Sequence, residues 1–125
     1  MRKHRLWELY LTRQLELASD HVHRDAEAIR VAAELVAQRH AVLLRSPADY
    51  LAQRDYQNGL IIQAGIYASL ERKAEACTIY QQAADFMRSP EHRQLAKMDE
   101  TTQLKVATDG IASNCRAASA ANRQP

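Results

Sequence analysis

The sequence predicts an all-α protein: a long antiparallel helical hairpin followed by a third, weaker helix, packed as a bundle or coiled-coil-like array. Three observations carry that expectation. The 125 residues include 22 alanines but only three glycines and three prolines, a composition rich in the best helix former and poor in turn chemistry. Two of the prolines follow a serine, at Ser46-Pro47 and Ser89-Pro90, and divide the chain into three segments. In the first segment Leu15, Val22, Ile29, Val36 and Leu43 recur at the spacing of one coiled-coil seam. Alanine buries little surface and only seven residues are aromatic, so long helices with thin contacts are expected rather than a β fold or a thick core.

The first helix is expected over about 5–45, a span without proline or glycine. Its second seam position is poor in leucine: Ala18, Asp25, Ala32 and Arg39 follow the first four seam residues by three. Ala26 and Ala33 widen the stripe instead, which suits a loose bundle better than a strict zipper. Ser19 and Asp20 can cap a new helix, so a split near Ser19 stands as the alternative to one continuous helix.

At the first boundary Arg45 suits the negative end of a helix. Ser46 can cap the next one, with Pro47 at its first position and Asp49 in its first turn. The second helix is expected over about 47–88, a rod of roughly 60 Å at 1.5 Å per residue. Its main stripe is Tyr56, Leu60, Tyr67, Leu70, Ala74, Cys77 and Ala84, beside a second line of Ile62, Ile66, Ala76, Tyr80, Ala83 and Met87. Gly59 and Gly65 lie inside it, each costing about 1 kcal/mol relative to alanine, and mark a kink or a close helix contact. Ser89, Pro90 and Glu91 repeat the capping device, and a helix over about 91–115 follows, carrying Leu95, Met98, Leu104, Val106 and Ile111. Asp109-Gly110 is expected to end or bend it, leaving residues 116–125 as a flexible tail to a single domain over 1–118.

Chemistry-bearing patterns are sparse. The 17 basic and 15 acidic residues give a net charge of +2, without the basic stripe of a nucleic-acid binder. The start "MRKHR" precedes "LWELYL", but Glu8 interrupts the apolar run and no small-residue cleavage site follows, so no secretion signal is expected. No stretch approaches the roughly 18 apolar residues of a membrane span. A cytoplasmic protein is therefore expected, with Cys77 and Cys115 as reduced thiols and Cys77 acting as a small buried hydrophobe.

His21 and His23 face different sides of a helix, although His21 shares a face with Asp25 and Asp20 shares one with His23. No Glu-x-x-His occurs, so a di-iron bundle site is not expected. Neither a Gly-rich phosphate loop, a Cys-x-x-Cys nor a Gly-x-Ser-x-Gly is present. The expectation is no catalytic residue, no metal site, no cofactor and no enzymatic activity. Tyr50, Tyr56, Tyr67 and Tyr80 lie among Gln, Ala and Ile rather than Arg and Lys, which favours partial core burial over base stacking.

The stretch "AQRHAVLLRSPADYLAQRDYQNGLIIQAGIYASLERKAEACTIYQQAADF" resembles a phasin, a family of small proteins that coat polyhydroxyalkanoate granules. The features are a helix ending in "LL", the Ser46-Pro47 turn, the Gln53 to Tyr56 step, and an Ala- and Gln-rich helix after it. The resemblance extends over about residues 11–90. The basic start, the Gly59 and Gly65 pair and the short polar tail depart from the family pattern.

What it implies is a non-enzymatic coat protein, cytoplasmic and granule-associated, whose apolar faces lie on the polyester. Residues alone leave a second reading open: a helical interaction module such as an adaptor, a secretion chaperone or an oligomeric bundle subunit. Either reading implies a homo-oligomer and assigns the binding surface to Leu15, Val22, Ile29, Val36 and Leu43 on the first helix and Tyr56, Leu60, Tyr67 and Leu70 on the second.

"GIYASLERKAEACTIYQQAADFM" also resembles a tetratricopeptide repeat in outline, with Gly65, Ala76, Tyr80 and Ala83 near the expected places. Its turn would fall in "LERKAE", which has no glycine and reads as continuous helix, and no second copy follows at a period of about 34 residues.

Overall fold

The computed structural model describes residues 21–92 and 102–122. Its described residues form four α-helices and one short 3-10 turn: α1 (His21–Arg45), α2 (Tyr50–Ser69), α3 (Lys73–Arg88), the 3-10 turn Pro90–His92, and α4 (Thr102–Asn122). The all-α class and the antiparallel first hairpin are as the sequence predicts. The expected start near residue 5, the alternative split near Ser19 and the seam residue Leu15 lie outside the described residues, as do Leu95 and Met98.

The α1–α2 boundary falls at the Ser46-Pro47 pair, but its chemistry differs from the expectation. Asp49, not Ser46, is the N-cap of α2: its Oδ1 accepts from the Leu51 N–H at 3.1 Å. The Ser46 N–H closes the end of α1 on the Val42 and Leu43 carbonyls, and the Asp49 N–H reaches Ser46 O at 3.1 Å. Pro47 therefore sits in the turn rather than in the helix, and its carbonyl accepts from Gln53 Nε2 at 2.8 Å.

The second expected helix is two. It breaks after Ser69, and Glu71 takes a left-handed φ of 61°. The Arg72 N–H bonds to Tyr67 O at 2.9 Å and the Glu71 N–H to Ala68 O at 3.1 Å, so the last carbonyls of α2 are satisfied by a left-handed turn made without glycine. Arg72 then pairs with Glu75 and lays its guanidinium over the Tyr67 ring, 5.2 Å from the centroid. A straight rod would leave both apolar lines of this segment without a partner. The hairpin folds them onto each other, and that burial outweighs a left-handed residue costing about 1–2 kcal/mol. The break falls where the tetratricopeptide outline places its turn.

Two packed clusters result. Leu60 on α2, Ala83, Ala84 and Met87 on α3, and Ala107 on α4 form one; Ala64, Ala76 and Tyr80 form the other. Leu60 and Met87 are each 2% exposed, and burial of side chains this size contributes roughly 1.5–3 kcal/mol apiece.

Helix α4 corrects two further expectations. It runs through Asp109-Gly110 without ending and continues to Asn122, across most of the stretch expected to be a tail. Asp109 is held by Lys105 one turn back at 2.7 Å. Gly110 is buried against the Tyr80 ring, and a Cβ there would lie 2.5 Å from two of the ring carbons. The glycine is there for close approach, not for a turn. That approach also explains the cysteines. Helices α3 and α4 run antiparallel, Tyr80 meeting Gly110 and Cys77 meeting Cys115. The two cysteines, 38 positions apart in sequence, come to a Cα separation of 4.8 Å and form a disulfide. The expectation of reduced thiols is overturned, because antiparallel packing creates a proximity that sequence spacing does not show.

Candidate functional site

The nine residues expected to form a binding surface divide when placed in the fold. Leu15 and the side chain of Val22 lie outside the described residues. Leu43 is buried, and Ile29 and Val36 are half-buried, with Val36 packed against the Leu60 cluster. On α2 Leu60 is buried, while Tyr56, Tyr67 and Leu70 are half-buried. Of the two stripes, Val36, Tyr56 and Leu60 join one packed cluster and Tyr67 the other. Tyr67 keeps an outer edge, lining a shallow groove of about 400 Å³ with Gln63, Ile79 and Gln82.

What remains outside is a set of residues the stripe pattern passes over. Leu44 is 68% exposed, Leu51 53% and Val42 45%. All three flank the Ser46–Asp49 turn, so the closed end of the α1–α2 hairpin carries exposed aliphatic side chains at one tip of the bundle. Scattered exposed aliphatic side chains are ordinary on a protein surface, and Ile62 and Val106 are two more among the described residues, but three within ten residues concentrate at this tip, Val42 and Leu44 on either side of the buried Leu43. The sequence signal was the run "VLLR": two adjacent leucines cannot both face the same seam, so one had to point out.

Helix α1 is also the most open helix. Among the described elements its substantial contact is with α2 alone. Arg39 anchors that contact, donating to Asp55 O at 3.0 Å and to Asn58 Oδ1 at 3.2 Å. Gly59 lies directly beneath it, where an added Cβ would come within 3.3 Å of Arg39 Cδ. The poor seam residue of the heptad reading is thus a polar bolt between helices. On the opposite side of α1, Ala26, Ala33, Ala37 and Ala41 are exposed. Arg30 binds both Glu27 and Glu34 there, the latter at 2.6 Å. These charges hold the Arg30 pKa above its ordinary value, first through the Glu27 hydrogen bond. The outer face is therefore small, and Arg30 is neutralised within its own helix.

Polar and aromatic groups crowd one side of α2. His40, Tyr56, Phe86 and His92 form a continuous ring ladder across α1, α2, α3 and the 3-10 turn. Centroid separations are 5.2 Å for His40–Tyr56, 5.1 Å for the edge-on Tyr56–Phe86 pair and 3.9 Å for the stacked Phe86–His92 pair. His92 Nδ1 also lies 2.7 Å from Phe86 O, which ties the 3-10 turn to α3. Burial raises the pKa of the Tyr56 phenol.

Gln57 is fully buried, and its Nε2 donates to Gln103 Oε1 at 3.1 Å. Its own Oε1 has no hydrogen-bond partner. The pair borders a half-open polar cavity of about 340 Å³ with Arg54, Asp55 and Asn58. A cavity of this size and polarity admits water, the simplest donor to such an oxygen. The lining holds no Ser, Thr, Cys or His side chain, and its one carboxylate is that of Asp55. Among the described residues no three His, Cys, Asp or Glu side chains gather as a metal site requires, and no helix is long and apolar enough to cross a membrane.

Comparison with known proteins adds one partial likeness. Residues 1–36 are similar to the family described as iron dependent repressor, metal binding and dimerisation domain. The match takes in less than a third of the chain, and only its last part, residues 21–36 of α1, falls within the described residues. No curated protein matches the chain. No solved structure matches it.

Proposed function

We propose that this protein is a non-enzymatic helical interaction module, which docks through the apolar tip at the α1–α2 turn and self-associates along the outer face of α1. The observation that carries the reading is the division of apolar surface. The bundle covers most of the regular stripes, Ile62 excepted, and leaves Val42, Leu44 and Leu51 exposed at one end. Self-association is supported by α1 having one substantial neighbour, an outer face of small residues, and a stretch similar to a domain described as metal binding and dimerisation. Small side chains let a second helix approach closely, and charges paired within their own helix are not left stranded when it does.

A second reading, a phasin-like coat on polyhydroxyalkanoate granules, draws on the same tip. The Ser46-Pro47 turn between two exposed leucines lies inside the stretch that resembles phasins, and an exposed aliphatic tip binds an apolar surface in proportion to the area it buries. In the closed bundle the coat would rest on this tip rather than on Leu60, which the core holds.

Co-sedimentation with washed polyhydroxybutyrate granules, with hydrophilic beads as control, separates the two. The module reading expects binding no better than to the beads, together with a concentration-dependent dimer by analytical ultracentrifugation that Ala33→Glu weakens. Saturable granule binding lost in Leu44→Glu/Leu51→Glu would favour the coat. A strictly monomeric protein that binds neither granule nor helical partner would remove both.

A further inference from the structure

We propose that the Cys77–Cys115 disulfide is a redox latch on α4: its reduction frees the C-terminal half of that helix to lift from α3, uncovering the apolar cluster beneath. The inference does not depend on what the tip binds.

The placement of the bond is the first reason. The chain reaches α4 from α3 through residues 89–101, so the covalent connection enters α4 at its N-terminal end. Cys115 lies toward the other end of α4, and Cys77 lies in the second turn of α3. The disulfide therefore clasps the open end of an antiparallel pair. Among the described residues of that end, Cys115 alone is tied covalently to α3.

The second reason is what the packing consists of. The buried residues of α4 with described side chains are Ala107, Gly110 and Asn114. Two of these three bring almost no apolar area, and Asn114 uses its Nδ2 on Gly110 O in its own helix at 2.8 Å. Leu104 and Ile111 pack against the clusters only half-buried. By contrast α2 and α3 share Leu60, Ala64, Ala76, Tyr80, Ala83, Ala84 and Met87 and are joined by the tight turn at Glu71. The α2–α3 hairpin has its own core and can persist while α4 swings out. What the lifted half then exposes is the face of Tyr80 that Gly110 covered, with Ala76 and Ala64 of the same cluster beside it, an amphipathic surface of the kind that docks a helix or an apolar phase.

The third reason is access. Cys77 and Cys115 are both partly solvent-accessible rather than sealed in the core, so a small thiolate can reach a sulfur. The step balances with a dithiol as reductant. One reagent thiolate attacks a protein sulfur, the S–S bond breaks, and a mixed disulfide forms as the other cysteine leaves as thiolate. The second reagent thiol closes on the first, releasing the remaining cysteine. Two electrons and two protons pass to Cys77 and Cys115, and the reagent departs as its own disulfide. A reducing compartment supplies such thiols and an oxidising one does not.

The test is hydrogen exchange on the full chain, oxidised and then reduced with dithiothreitol, read helix by helix. Reduction is expected to speed exchange across α4 by about tenfold or more while α1 and α2 change by less than about twofold. Binding of a hydrophobic dye should rise in parallel, and reoxidation should restore protection. The Cys77→Ala/Cys115→Ala variant should match the reduced protein without reductant. Unchanged exchange in α4 on reduction would overturn the latch. So would an equal rise in all helices, or a variant that fails to fold, since either makes the bond a staple of the whole fold.

Discussion

Gly110→Ala and Gly65→Ala are the same substitution in neighbouring helices, and the packing around them predicts opposite signs. At Gly110 the added methyl would lie 2.5 Å from Tyr80 Cδ2 and Cε2 and 2.6 Å from Cγ, where carbon atoms rest at roughly 3.5–4.0 Å. Tyr80 is 8% exposed and is wedged with Ala64 and Ala76, so the ring cannot swing aside without disturbing them. Helix α4 must instead retreat by about 1 Å or more, loosening Ala107 and Ile111. Overpacking of this kind costs up to about 3 kcal/mol. Replacing a helical glycine by alanine returns about 1 kcal/mol, and the net loss is about 2 kcal/mol. At Gly65 the nearest atom to the new methyl is Tyr80 Oη at 3.8 Å, an ordinary contact, so only the propensity gain remains, about 0.5–1 kcal/mol of stabilisation.

Urea unfolding of the oxidised proteins, followed by circular dichroism, reads both. With a slope of about 1.5 kcal/mol per molar urea, the midpoint should fall by about 1.3 M for Gly110→Ala and rise by about 0.5 M for Gly65→Ala. Adding Tyr80→Leu to Gly110→Ala should cost less than the two single changes summed, because the ring that clashes is gone. A neutral or stabilising Gly110→Ala, or equal effects at both glycines, would refute the close packing of α4 on α3.

Three further outcomes follow from local geometry. Glu71→Gly should raise the melting temperature, with a gain of about 0.5–1 kcal/mol, because the left-handed φ of 61° strains any residue with a side chain; a loss would mean the turn is not left-handed. Asp49→Ala should cost about 1 kcal/mol in urea unfolding while Ser46→Ala costs a few tenths, since the α2 cap is the Asp49 carboxylate; the reverse order would return the cap to Ser46. Burial raises the pKa of Tyr56 and Tyr80 above 10.0. The unfolded chain therefore loses those protons at a lower pH than the folded one, so stability holds below pH 10 and falls as pH rises through the folded values. Tyr56→Phe should flatten that alkaline loss in unfolding titrations, and an unaltered slope would count against the buried ladder.

By itself the sequence determined the helical class, the place of the first hairpin's turn, and the inward course of part of the stripes. Alanine richness and proline placement are local properties, and a seven-residue apolar period is readable one helix at a time. The stripes at Ile29, Val36, Leu43 and Leu60 went where periodicity sends apolar residues, toward a neighbouring helix. The tertiary structure alone decided the rest. The break at Glu71 is invisible locally, because "LERKAE" has good helix propensity and the turn forms only to bring Leu60 onto Met87 and Ala64 onto Tyr80. Gly110 reads as a helix stop until Tyr80 is seen against it. The exposed tip depends on how far the α1–α2 contact reaches toward the turn. Cys77 and Cys115 are paired by the antiparallel course of α3 and α4, and proximity across 38 residues belongs to the packing of two helices, not to either one.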